Sequence, residues 1–267
     1  MSDVTSAAAG LAAVAGQLAA GAIEVVDLTS PLHAGTPVLR LPERFGQTAR
    51  FALEEISRFD DRGPGWYWNN FRTGEHTGTH FDAPNHWITG KDLDDVSRVP
   101  AQRLAGPAAV VDRTAQTEAD PSYLLDVPDL LAWQEEHGAL PENGWLLYRT
   151  GWSRYADDPE AFANAGERGP RTPGLTPAAA RYLAEETGIL GLGVETVGTD
   201  AGHAAELEPP YPCHSLLLGA GKYGLTQLRR LDRLPATGAV VIAAPLPIVG
   251  GSGSPCRVLA LVPAGAR

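Results

Sequence analysis

Four chemistry-bearing side chains fall between His76 and His86 in the stretch EHTGTHFDAPNHW, residues 75–87, and no other segment constrains this chain as strongly. His76, His80, Asp82 and His86 share the same parity, so on an extended backbone they project to one face, with Gly78 filling the gap. A helix would also bring His76 and His80 together, because residues four apart share a helix face. Thr77, Thr79 and Phe81 favour strand, however, and Gly78 and Pro84 oppose helix. The spacing therefore predicts a short extended segment that gathers imidazoles and a carboxylate on one side.

Two neutral imidazoles and one carboxylate form a ligand set suited to Zn²⁺, Mn²⁺ or Fe²⁺, with coordination positions left for water and substrate. His76, His80 and Asp82 are the candidate ligands of a single divalent ion, Mn²⁺ or Zn²⁺. His86 lies just beyond them. Histidine titrates nearest neutral pH of the common side chains, so His86 is the candidate general acid/base. The competing bland reading is a turn whose histidines cap backbone groups.

Flanking segments predict an α/β fold. The Ala-rich run from Ala7 to Ala20 lacks a preceding Lys or Arg, carries Asp3 and is interrupted by Gln17, so it reads as a helix (residues 1–21) rather than a signal peptide. Ile23 to Leu28 reads as a buried strand, Phe51 to Phe59 as an alternating one, and DDRGPG as a turn. Ala108 to Asp112, Trp145 to Tyr148 and Ile189 to Val197 are further apolar strands. Between them, Asp126 caps a helix from Val127 to His137 closed by Gly138, and Thr176 caps a second that begins at Pro177 and ends before Gly188. Helices alternating with short apolar strands point to a mixed sheet, and no linker or repeat divides residues 1–267, so one domain is expected.

Composition narrows the function. A formal net charge of −11 and a pI near 5.0 give no footprint for nucleic acid or an anionic membrane. No run reaches the roughly 18 apolar residues of a membrane span. Cys213 and Cys256 are too few for a disulfide framework, so a cytoplasmic location is expected. The aromatic cluster WYWNNF, residues 66–71, lies just upstream of His76, and an unbroken strand would put Trp66 and Trp68 on the ligand face as walls for a flat substrate.

The motif stretch resembles the H-x-G-T-H-x-D-x-P-x-H signature of the metal-dependent cyclase family, which includes kynurenine formamidases and isatin hydrolases. LPERF, GTDAG, EPPYPCH, LRRLDRLP and GAVVIAAPLPI look like family segments in the same order, so the resemblance runs from about Glu24 onward. It implies a swivelling β/β/α fold: a central mixed, barrel-like sheet with flanking helices and the metal at one end. It also implies that His214, in PCHSLLL, reaches the site as a second catalytic or substrate-orienting group. Leu39 stands where kynurenine formamidases carry a Trp that contacts substrate, and Thr226 stands where they carry a Glu for a second zinc. The first departure counts against that exact substrate, and the second turns the reading toward one metal, as is implied for isatin hydrolases.

The resulting expectation is a metal-dependent amidohydrolase that opens a small aromatic cyclic amide or lactam, isatin to isatinate or a close analogue. His86 and His214 are its catalytic groups, and Trp66, Trp68 and Leu39 its substrate contacts. A homodimer or higher assembly is implied, with a neighbouring chain helping to close the pocket. The alternatives are an N-formylkynurenine formamidase and a cyclase or dehydratase of secondary metabolism. A non-haem Fe²⁺ oxygenase and a non-catalytic metal-binding protein are the remaining readings. Of the other histidines, His33 is read as surface, His137 as a partner of its helix C-terminus and His203 as surface. Asp200 is read as supporting rather than reactive.

Overall fold

The apolar runs pair into one closed sheet, seen in a computed structural model that describes residues 2–167 and 169–265. Four consecutive strands, Ala105–Asp112, Trp145–Arg149, Gly191–Val194 and Tyr223–Thr226, run parallel side by side. They are buried almost continuously, as expected of parallel strands covered on both faces. The first of them pairs antiparallel with Ala239–Pro245, which pairs with the long strand Gly253–Pro263. That strand begins against His80–Asp82, which also pairs with Tyr223–Thr226, and the seven strands close on themselves. Ile23–Asp27 adds an eighth strand along Gly253–Pro263.

Alternation of side chains across this sheet divides the interior in two. Phe81, Val110, Leu147, Leu225, Val241, Val258 and Ala260 fill the barrel. Val111, Leu146, Tyr148, Leu192 and Val194 face outward against Leu130 and Trp133 of the helix Val127–His137 and Ala179, Ala180 and Leu183 of the helix Pro177–Glu185. Both helix starts are set by the residues read from sequence. Asp126 forms a capping box with Asp129, and the Thr176 hydroxyl accepts the Ala179 N–H while donating to the Asp126 carboxylate at 2.6 Å. Gly138 closes the first helix at φ 91°.

Three sequence expectations change. The strand expected over 189–197 covers only Gly191–Val194, because Glu195 turns inward, where its carboxylate accepts from the Thr150 and Gly151 N–H groups and the Ser153 hydroxyl. The DDRGPG turn is confined to Asp61 and Arg62, and Gly63 already begins the returning strand. That strand, Gly63–Arg72, pairs only with Ala52–Asp60, so the two form a ribbon separate from the closed sheet. The N-terminal helix spans Ser2–Ala19 and leaves Val4, Leu11 and Leu18 exposed. Cys213 and Cys256 are buried free thiols. No helix among the described residues is long and apolar enough to cross a membrane.

Candidate active site

The strand that carries the histidine motif is only three residues long, and its placement follows from its neighbours. His80–Asp82 is held on one side by Thr226 and Gly224 and on the other by Pro255 and Gly253. Phe81 points into the barrel, fully buried, so His80 and Asp82 take the opposite face. The even-parity expectation therefore holds for His80 and Asp82 alone. His76 and His86 arrive by turns. Gly78 sits at φ 65° with Leu32 packed where a Cβ would lie, and this left-handed residue bends His76 back over the strand. Pro84 opens a single 3-10 turn, closed by the His86 N–H donating to the Ala83 carbonyl, which folds His86 over in the other direction. The His76 and His86 rings consequently stack at 3.8 Å.

The three candidate ligands converge. His76 Nδ1 lies 2.8 Å and His80 Nε2 3.3 Å from Asp82 Oδ1, and one donor atom from each residue falls within 4.8 Å of the others. The second nitrogen of each ring is engaged elsewhere: His76 Nε2 lies 2.8 Å from the Ser252 hydroxyl, and His80 Nδ1 2.7 Å from the Gly78 carbonyl. Such outer contacts fix ring orientation and direct the free lone pairs inward, as metal-binding imidazoles require. Ser252 in turn donates to Glu75, the residue before the motif, at 2.7 Å. His80 and Asp82 are 4% and 1% exposed, which shields the donor set from bulk water. The donors and their supports fit a divalent cation.

Electrostatics separates the groups by role. Burial would raise the Asp82 carboxyl, but His80 and His76 outweigh it and hold Asp82 well below the usual carboxylate range. His86 is pushed down to about 3, chiefly by burial, so it is a neutral imidazole at ordinary pH. His214 moves the other way. Burial depresses it, but the hydrogen bond to Asp200 prevails and leaves its value raised. The His214 ring lies 5.4 Å from His86 and 4.8 Å from Trp87, which places this distant residue at the rim of the motif.

Thr226 fills the position that the family resemblance assigns to a second anionic ligand, and its hydroxyl lies 2.8 Å from His80 Nδ1 and 3.1 Å from Nε2. Gln227 is buried at φ 52°, and its amide donates to the Pro37 carbonyl. It serves the loop over the barrel. Trp66, Trp68 and Leu39 are 51%, 54% and 52% exposed; the first two stand on the separate ribbon and Leu39 on the loop that precedes it. The ribbon ends at Arg72, and bends at 75–79 break the parity that would have put the tryptophans on the ligand face. Trp87 was given no role by sequence reading. Its indole N–H donates to the Ser215 hydroxyl, and its ring lies 5.4 Å from Tyr211, so it walls the site beside His214. Direct succession to His86 was the available signal. Ser252 offered none, since it enters from a strand start 176 residues from His76.

Of the remaining histidines, His33 accepts the Gly35 N–H, His137 packs against Trp133 in the last turn of its helix, and the buried His203 Nδ1 has no partner among the described residues.

Comparison with known proteins agrees with this geometry. The model of a family described as putative cyclase matches residues 26–201. Isatin hydrolase from Roseibium aggregatum is 46% identical over 97% of this chain and 99% of its own length. A solved isatin hydrolase bound to the product analogue thioisatinate superposes with a TM-score of 0.94 at 45% identity, covering 96% of this chain and 99% of the other. A kynurenine formamidase from Salinibacter ruber is 31% identical over 71% of this chain and 77% of its own. A histidine-rich motif at the seam of a closed mixed sheet, and similarity that runs the length of the chain, lead to one conclusion: this chain belongs to the cyclase family.

Proposed function

We propose that this protein is a metal-dependent hydrolase that opens the cyclic amide of isatin or a close aromatic analogue. The observation that carries the reading is the convergence of His76 Nδ1, His80 Nε2 and Asp82 Oδ1 beside a neutral, stacked His86. Full-length similarity to isatin hydrolase supports the substrate class. Thr226 in place of an acidic ligand favours one ion over two.

His76, His80 and Asp82 would hold a divalent ion, Mn²⁺ or Zn²⁺, which would supply Lewis acidity for amide hydrolysis and favour deprotonation of water. The residues do the rest. Asp82 stays ionised and holds both imidazoles in place. His86, stacked on His76 beside the donor set, accepts a proton from the attacking water as the new C–O bond forms. It returns a proton to the ring nitrogen as the C–N bond breaks, and the products are an amine and a carboxylate on one molecule. His214, beside His86, orients the substrate, with Trp87 as a flat wall.

The exposed aromatic ribbon and the unpaired apolar positions of the N-terminal helix support a homodimer, in which Trp66, Trp68 and Leu39 meet the neighbouring chain and its pocket. A single cyclase-type domain in the cytoplasm completes the proposal. The test is ultraviolet-monitored turnover of isatin by metal-free protein reloaded separately with Mn²⁺ and Zn²⁺, with N-formylkynurenine assayed in parallel. Metal-dependent loss of isatin that disappears in His86→Ala, with metal still bound, is the expected result. Turnover retained in that variant rejects His86, and preference for N-formylkynurenine rejects the cyclic amide.

A further inference from the structure

The Asp200 carboxylate makes more contacts than a structural cap needs. Oδ1 accepts the Cys213 N–H at 2.7 Å, and Oδ2 accepts the His214 N–H at 3.1 Å. These two bonds tie down the start of the π-helical turn Cys213–Leu218. A third contact does something else. His214 Nδ1 lies 2.5 Å from the same Oδ2. An ionised carboxylate only accepts hydrogen bonds, so the proton of this contact belongs to Nδ1.

We infer that Asp200 is a positioning residue for hydrolysis: it fixes the His214 ring with Nδ1 protonated and leaves Nε2 as the one polar ring atom available to the substrate. This rests on the hydrolase reading above. Among the described residues, every hydrogen bond of the ring falls on Nδ1, from Asp200 and, at 3.5 Å, Thr199. The ring itself lies 5.4 Å from His86 and 4.8 Å from Trp87, next to the candidate ligands. A wide π turn suits such a task, because it sets one side chain off the regular helical path. The groups that face the ring are Asp200 from the loop after Gly191–Val194, Asp82 from its strand, and His86. Two carboxylates around one imidazole agree with its raised pKa.

The architecture resembles the handling of His76, whose far nitrogen is held by Ser252 and Glu75. In both cases a carboxylate, acting directly or through a hydroxyl, engages one imidazole nitrogen and leaves the other for the site. Supports of this kind typically change activity or affinity by about 10- to 100-fold.

The experiment is nitrogen-15 NMR of the imidazoles in the metal-loaded protein, with His214→Gln used to assign the signal, combined with kinetics of Asp200→Asn. An amide at position 200 still caps the turn through its oxygen but offers an N–H where Nδ1 needs an acceptor. Wild-type protein is expected to show His214 protonated at Nδ1. Asp200→Asn is expected to move the proton to Nε2 and lower kcat about 10- to 100-fold, with metal content unchanged and KM within about threefold. A wild-type His214 whose neutral form carries its proton on Nε2 overturns the inference, as does an unchanged kcat in a folded Asp200→Asn. The wild-type spectrum decides the matter if the variant does not fold. It needs no substrate, so absence of isatin turnover removes the substrate assignment alone.

Discussion

Two β segments adjacent in sequence show opposite uses of the same chemistry. The ribbon Ala52–Asp60 with Gly63–Arg72 carries Trp66, Tyr67, Trp68 and Phe71 and exposes all four. The strand His80–Asp82 has only three residues, yet it is buried throughout. Length does not decide which is rigid. The ribbon has one partner strand for each of its own, and an isolated two-stranded hairpin is at best marginally stable in water. The short strand has a neighbour on both edges and Phe81 anchored in the barrel. A reactive constellation must be held to within a fraction of an ångström, and only the second arrangement can do this. The ribbon instead presents an apolar surface of the kind that proteins cover with a partner.

Predictions that break or sharpen this contrast can be ranked. The largest effect belongs to Asp82→Ala, which leaves two imidazoles without the carboxylate that organises them; loss of stoichiometric metal by elemental analysis and loss of turnover are expected, and full metal occupancy would remove Asp82 from the ligand set. Next comes the double change Trp66→Ser with Trp68→Ser. Sedimentation is expected to show a shift from the proposed dimer to monomer, with a melting temperature that falls and loses its dependence on protein concentration. A dimer that survives would leave the ribbon's apolar face unexplained.

Gly253→Ala is a milder test of the rigid region. A Cβ there would lie 2.7 Å from His76 Cε1 and 2.3 Å from the Phe81 carbonyl oxygen. Overpacking of this kind costs about 1–3 kcal/mol, readable by denaturant unfolding, and it is expected to weaken metal binding as well. An unchanged midpoint would show the seam to be softer than its burial implies. Ser252→Ala removes the outer support of His76 without adding bulk, and about tenfold weaker metal affinity by competitive chelation is expected. Unaltered affinity would assign that hydroxyl to packing alone.

The smallest effect concerns pH and lies far from both regions. Burial raises the Asp129 carboxyl, but hydrogen bonds from the Asp126 N–H, the Tyr123 hydroxyl and Arg113 outweigh it and hold the group below its ordinary value. A depressed carboxyl binds its proton more readily when unfolded, so its stabilisation is complete above the ordinary carboxylate pKa and is lost as pH falls through the depressed one. Asp129→Asn should therefore flatten the acid limb of stability slightly; an identical limb would show the cluster to be silent.

Much of this was legible in the chain. Capping residues announced both core helices, because an Asp or Thr followed by Pro and an apolar period encodes a helix start locally. Apolar runs announced three of the four parallel strands but not Tyr223–Thr226, and the motif announced its candidate ligands, since donor types and spacing within seven residues are local facts. The parity argument failed where it assumed one continuous strand: Gly78 and Pro84 break the backbone, yet the turns they make bring His76 and His86 to the same place. Trp66 and Trp68 illustrate the opposite limit. Their residue types suggested a pocket wall, but whether an aromatic face meets substrate, core or a second chain depends on what packs against it.

The sequence by itself determined the α/β class, the triad of His76, His80 and Asp82, and the candidacy of His86. It did so because helix caps, strand periodicity and close-spaced donors act over a few residues. Only the tertiary structure decided that Ser252 and Glu75 support His76, that Thr226 meets His80, that Trp87 walls the site, and that Asp200 grips His214 by one nitrogen. Those contacts join segments that meet only when the seven-stranded sheet closes, and no local property of the chain encodes which side chains a closing seam brings face to face.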